Sequence, residues 1–82
     1  MNRLYMIEFK LHDSFYFASV FETRHSPSIY YVSLVGREFL ANKLVLNEVD
    51  DKIELSPDSN RAPKKLVEAI ILALESHKDG KD

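Results

Sequence analysis

Cysteine and tryptophan are absent from this 82-residue chain, glycine occurs only twice and proline three times. No disulfide can staple the fold and no cysteine pair can do redox chemistry. Neither glycine opens a phosphate-cradling loop, and there is no GxSxG or HExxH pattern. No excess of one charge is present either: 11 Lys and Arg stand against 13 Asp and Glu, a net charge of −2. That balance excludes a polyanion-binding surface over the whole molecule and leaves only a local patch for nucleic acid. No stretch approaches the roughly 20 apolar residues of a membrane span. The opening Met1-Asn2-Arg3-Leu4-Tyr5-Met6 reaches Glu8 and Lys10 before any apolar run of signal-peptide length, so the expected compartment is the cytoplasm.

What is present is a globular share of apolar residues, 45%. That content opposes disorder except in the closing residues, so the expected organisation is a single α+β domain over 1–77 and a disordered tail over 78–82. A domain of this size buries only about 60 to 65% of the surface its unfolded chain exposes. Its margin of stability is thin, and self-association or a metal is a common remedy.

Residues 3–11 and 15–24 are rich in aromatic and β-branched side chains and flank His12-Asp13-Ser14, which is turn chemistry. Read as a three-residue loop, it sets Leu11 opposite Phe15, Phe9 opposite Phe17, Ile7 opposite Ser19 and Tyr5 opposite Phe21. A four-residue loop over 25–28 then pairs Phe21 with Val32 and Ser19 with Leu34, and the core face continues through Tyr30, Val32 and Leu34. Residues 37–43 fit either a short helix or a strand start. Asp50-Asp51 reads as a second tight hairpin, with Leu46 and Leu55 on the core face. From about Arg61 to Ser76 the apolar period becomes helical, with Pro63 in the first turn and Leu66, Ile70, Pro63, Leu74, Val67 and Ile71 in one stripe, Ala69 and Ala73 on its edge. The expected fold is an antiparallel meander of about five strands, open or strongly curled, with one C-terminal helix packed on one face.

Apolar side chains exceed what that fold can bury. The face away from the helix is expected to hold Leu4, Met6, Ala18, Val20, Ile29, Tyr31, Val35, Val45 and Val49, mixed with Glu8, Lys10, Glu22 and Arg24. Leu72 falls on the solvent side of the helix among Lys65, Glu68, Glu75 and Ser76. Five strands span about 24 Å and one helix about 10 Å, so something else must cover the remainder: curling, a second copy or a partner.

Chemistry finds little purchase. His12 and His25 lie at opposite ends of one strand, about 33 Å apart, and His77 suits a helix C-terminus on dipole grounds. Consecutive His12-Asp13-Ser14 cannot present the relay of a hydrolase triad. Glu48, Asp50, Asp51, Glu54 and Asp58 match no calcium-loop spacing and read as a solvated edge that discourages strand pairing. No cofactor or metal site is expected, and the chain is read as non-enzymatic.

The leading reading is a small binding or regulatory protein that acts through protein–protein contacts and self-associates, with Met6, Val20, Tyr31 and Leu72 as interface candidates. The alternative is a nucleic-acid-binding module: Arg61, Lys64 and Lys65 at the helix start would meet an anion, and Tyr16 and Tyr31 near Arg24 would stack on bases. A small enzyme of unconventional type comes third. Hairpins followed by one helix recur in single-strand nucleic-acid modules and in unrelated dimers, an analogy that decides nothing by itself.

Overall fold

His12 and Asp13 both adopt left-handed backbone angles (φ 51° and 65°), as do Asp50 and Asp51 (φ 54° and 64°). Two consecutive left-handed residues are the signature of the two-residue hairpin turn whose twist matches that of paired strands. Each turn therefore fixes the register of the hairpin it closes. The computed structural model describes residues 2–23, 28–35 and 42–79. Its elements are β1 (Asn2–Leu11), β2 (Ser14–Thr23), β3 (Ser28–Leu34), β4 (Lys43–Val49), β5 (Lys52–Leu55) and α1 (Lys64–Asp79). The five strands form one antiparallel sheet in chain order, not closed into a barrel, with the single helix packed against it.

The first hairpin corrects the expected register. Ser14 is the first residue of β2 rather than the last of the loop, so Leu11 pairs with Ser14, Phe9 with Tyr16, Ile7 with Ala18 and Tyr5 with Val20. A slip of one residue turns every side chain of β2 to the other face. Tyr16, Ala18, Val20 and Glu22 point to the core, and Phe15, Phe17 and Phe21 point out. β3 was read on its correct face, so the β2–β3 pairing shifts with β2: Val20 meets Val32 and Ala18 meets Leu34. The second hairpin matches expectation, with Leu46 opposite Leu55.

The core gathers Ile7, Phe9, Ala18, Val20, Tyr30, Val32, Leu34, Leu44, Leu46 and Ile53 from the sheet with Leu66, Ile70 and Leu74 from the helix. A helix on a flat five-stranded sheet would sit over β3, but α1 lies against β1 and β5, the two outer strands. The sheet therefore curls, its concave side lined by the core and its convex side facing away from the helix. The molecule measures 32 × 29 × 19 Å, the short dimension being one sheet layer plus one helix layer.

The helix begins at Lys64, later than the Arg61 expected, and runs on to Asp79, so residues 78 and 79 belong to the helix rather than to a tail. Its late start has a local cause. β5 is shorter than β4, and the side chains of Ser59 and Asn60, ahead of the helix, satisfy the β4 backbone beyond the end of β5. Ser59 Oγ accepts from the Val45 N–H at 2.9 Å, and Asn60 Nδ2 donates to the Lys43 carbonyl at 2.8 Å. The Pro63 carbonyl then accepts the first helical bond, from Val67 N–H at 3.1 Å, and Pro63 itself is exposed. Most of residues 37–43, left open from the sequence, lie outside the described residues; Lys43 starts β4.

Candidate interaction surface

Reading the register across the convex face gives a row of four apolar side chains on four successive strands: Leu4, Phe21, Tyr31 and Val45, each the direct cross-strand partner of the next. Leu4 is 75% exposed, Tyr31 44% and Phe21 39%, and the Phe21 and Tyr31 rings lie 6.2 Å apart at 43°. Large groups aligned in this way form a ridge across the sheet. Beside it runs a second row, Met6, Ser19, Ser33 and Lys43. Its two central members are the smallest polar side chains available, so this row is a hollow. Beyond it rise Phe17 on β2 and Val35, whose N–H donates to the Phe17 carbonyl at 3.2 Å. Both are exposed. Charge is confined to the margins of the face, at Glu8 and Lys10 on β1, Lys43 on β4, and Lys52 and Glu54 on β5.

The concave side holds a polar network at the C-terminal end of the helix. Glu22, only 7% exposed, accepts from the Tyr5 hydroxyl at 2.9 Å. Glu48 accepts from the Tyr30 hydroxyl at 2.7 Å and pairs with Lys78 of the helix. The Lys78 hydrogen bond holds the Glu48 carboxyl below its ordinary range against the opposing effect of burial, with the Tyr30 hydroxyl helping. Burial pushes the Tyr30 phenol well above its usual value, and the hydrogen bond to Glu48 adds to this. His77 stacks on Tyr5 with centroids 4.1 Å apart and planes at 2°, Arg3 lies over the same Tyr5 ring at 5.1 Å, and Arg3 reaches the His77 ring at 3.5 Å. The contacts of His77 and Lys78 tie the helix end to the sheet. The network is a latch on the fold, and its carboxylates already hold partners from within the chain.

The structure separates the interface residues expected from the sequence. Met6 and Tyr31 lie on the convex face, in the hollow and on the ridge. Val20 is 0% exposed and belongs to the core, the consequence of the two-residue turn. Leu72 is 68% exposed on the outer side of the helix, across the molecule from Met6 and Tyr31. The expected nucleic-acid set does not converge either. Tyr16 is half-buried on the concave side, stacked on Phe9 at 5.8 Å; Arg24 lies outside the described residues; Arg61, Lys64 and Lys65 are exposed by the helix start, away from Tyr31. Among the described residues no group of three or more His, Asp or Glu side chains is placed to hold a metal ion, and no helix is long and apolar enough to cross a membrane.

Phe15, Phe17 and Phe21 were missed as surface residues. The signal that finds them is the likeness of His12-Asp13 to Asp50-Asp51: both pairs form the same two-residue turn. Comparison with protein-family models, with curated proteins and with solved structures finds no match to this chain.

Proposed function

We propose that this chain is a small non-enzymatic binding or regulatory protein that acts by docking the convex face of its sheet onto another protein surface. One observation carries the reading: β2 turns three phenylalanines to the outside and a glutamate to the inside. Turning β2 over would bury the three phenylalanines and expose Tyr16, Ala18 and Val20 with that glutamate, a net gain in apolar burial of about 2 kcal/mol to an isolated domain, at about 1.5 to 3 kcal/mol per large apolar side chain. A local arrangement that runs against stability in this way is the mark of a functional surface. The exposed apolar groups adjoin one another instead of being scattered, as at protein-binding faces.

The experiment is photo-cross-linking in cells from a benzophenone amino acid placed at position 31 or at position 72. Docking through the convex face gives protein adducts from position 31 that persist in high salt, and none from position 72. Adducts from position 72 alone, or from neither, overturn the reading.

A second reading is favoured by the same four exposed aromatics, Phe15, Phe17, Phe21 and Tyr31, because base stacking also uses such rings. It needs cations along the strand path, and this face has Lys10, Lys43 and Lys52 offset by Glu8 and Glu54. Nucleic-acid adducts from position 31 whose yield falls steeply with salt would move the assignment to this class.

A further inference from the structure

The convex face carries its own complement, and from this we infer that its occupant is a second copy of this chain, packed sheet to sheet about a two-fold axis that runs across the strands between the ridge and the hollow. This inference rests on the docking reading and names the partner. A ridge lying parallel to an adjacent hollow is self-complementary under that one operation, which lays each ridge into the hollow opposite.

The register lets every pairing be read off. Rotation about an axis midway between the Leu4 row and the Met6 row keeps each strand over its own copy and exchanges the two rows. Phe21 then sits over Ser19 of the second copy and Tyr31 over its Ser33, a large side chain into a small one on both central strands. Leu4 meets Met6 at one margin. One row further out Ile29 meets Val35 and Thr23 meets Phe17, so the apolar contact continues past the axis in both directions. The curl of the sheet puts β2 and β3 at the crest, where two convex faces touch first, and these strands carry the large-into-small pairs.

Charge agrees with the operation. Glu8 comes over Asn2 of the second copy, and Lys43 comes over Val45, where its aliphatic stem can cover the valine with the ammonium at the rim. Among the described residues the rotation brings no like charges together and lays no carboxylate over an apolar side chain. Area agrees as well. Four strands at about 4.8 Å and the four rows that the rotation overlaps at about 6.7 Å give a face of roughly 500 Å² in projection. Full contact of two such faces buries about 1,000 Å², the threshold for a specific interface. Aligned sheets about 10 Å apart with interdigitating side chains are a standard packing of two sheets.

The test exchanges ridge and hollow. In the proposed arrangement position 31 lies over position 33 of the other copy, so Ser33→Tyr sets ring against ring and Tyr31→Ser sets void against void. The double variant restores a large-into-small pair. All three changes lie on the outward face, and circular dichroism confirms folding before sedimentation velocity is run across a wide concentration range. The wild type is expected to sediment as a dimer that dissociates on dilution. Each single variant weakens dimerisation at least 10-fold, the double variant regains most of that loss, and Leu72→Asp dimerises as the wild type does. Loss of the dimer in Leu72→Asp, or equal weakening in the double variant and the singles, overturns the arrangement. A wild type that stays monomeric at every concentration overturns the second copy as occupant. If position 31 still cross-links to another protein in cells, the docking reading survives that failure; if it does not, both fall.

Discussion

Replacing Val20 or its neighbour Phe21 by alanine separates the two registers of the first hairpin by the order of their effects. Val20 is fully buried between Tyr5 and Val32. Val20→Ala removes two methyl groups, about 1.6 kcal/mol of transfer free energy at about 0.8 kcal/mol each. The void of roughly 50 Å³ adds about 1 kcal/mol at about 24 cal/mol per Å³, for a total near 2.5 kcal/mol. Phe21 is 39% exposed on the convex face, so water fills the space its ring leaves and Phe21→Ala costs only about 1 kcal/mol in the dilute monomer. With a urea m-value near 1 kcal/mol/M, the midpoint falls by about 2.5 M for Val20→Ala and about 1 M for Phe21→Ala. Circular dichroism of urea unfolding at micromolar protein, repeated at two concentrations to exclude dissociation, reads both shifts. In the slipped register Phe21 would be core, at about 3 to 5 kcal/mol, and Val20 a surface residue of small effect. A larger loss for Phe21→Ala than for Val20→Ala would falsify the two-residue turn and the convex face built on it.

Three further outcomes follow from the fold. Lys78→Ala removes the partner of Glu48 and is expected to cost about 1 kcal/mol near neutral pH. Because the folded Glu48 carboxyl lies below its ordinary value, that stabilisation is present above about pH 4.5 and is lost as pH falls through the folded value. The wild type and Lys78→Ala should therefore converge in stability as the pH falls below about 4.5 and Glu48 is protonated, and a gap that persists or widens in acid would show that Lys78 acts other than through the carboxylate. Asp51→Gly relieves a left-handed backbone at φ 64° and should raise stability by about 0.5 to 1 kcal/mol, read as a higher thermal midpoint; a fall would contradict the turn conformation. Ser59→Ala leaves the Val45 N–H without its acceptor and should cost about 1 to 3 kcal/mol, with faster hydrogen exchange at that amide as the specific readout.

Much of the architecture was legible because it rests on strong local signals. The helical stripe of Leu66, Ile70 and Leu74 and the alternation of Tyr30, Val32 and Leu34 each point one way, and the Asp50-Asp51 turn fixes its own register. β2 was not legible from hydrophobicity, because both of its faces are apolar: Phe15, Phe17 and Phe21 form a stronger hydrophobic set than Tyr16, Ala18, Val20 and Glu22. Counting apolar groups puts the phenylalanines inside, and the geometry of the His12-Asp13 turn puts them outside. The candidate surface depends on that one choice. A surplus of apolar surface was visible in the sequence; its arrangement into a ridge and a hollow was not, since the rows exist only through pairing of residues far apart in the chain. The latch at the helix end was hidden for the same reason, because Glu22 reads as a solvent-facing residue until the register turns it inward to the Tyr5 hydroxyl.

The central claim is that the convex face is covered when the protein works, and the most direct measurement is NMR side-chain accessibility to a soluble paramagnetic agent as protein concentration rises. The account predicts that the Met6 methyl and the Tyr31 ring lose their paramagnetic broadening at high concentration while the Leu72 methyls stay fully accessible throughout. Met6 and Tyr31 remaining as accessible as Leu72 at every concentration, or protection appearing at Leu72 instead, would contradict it.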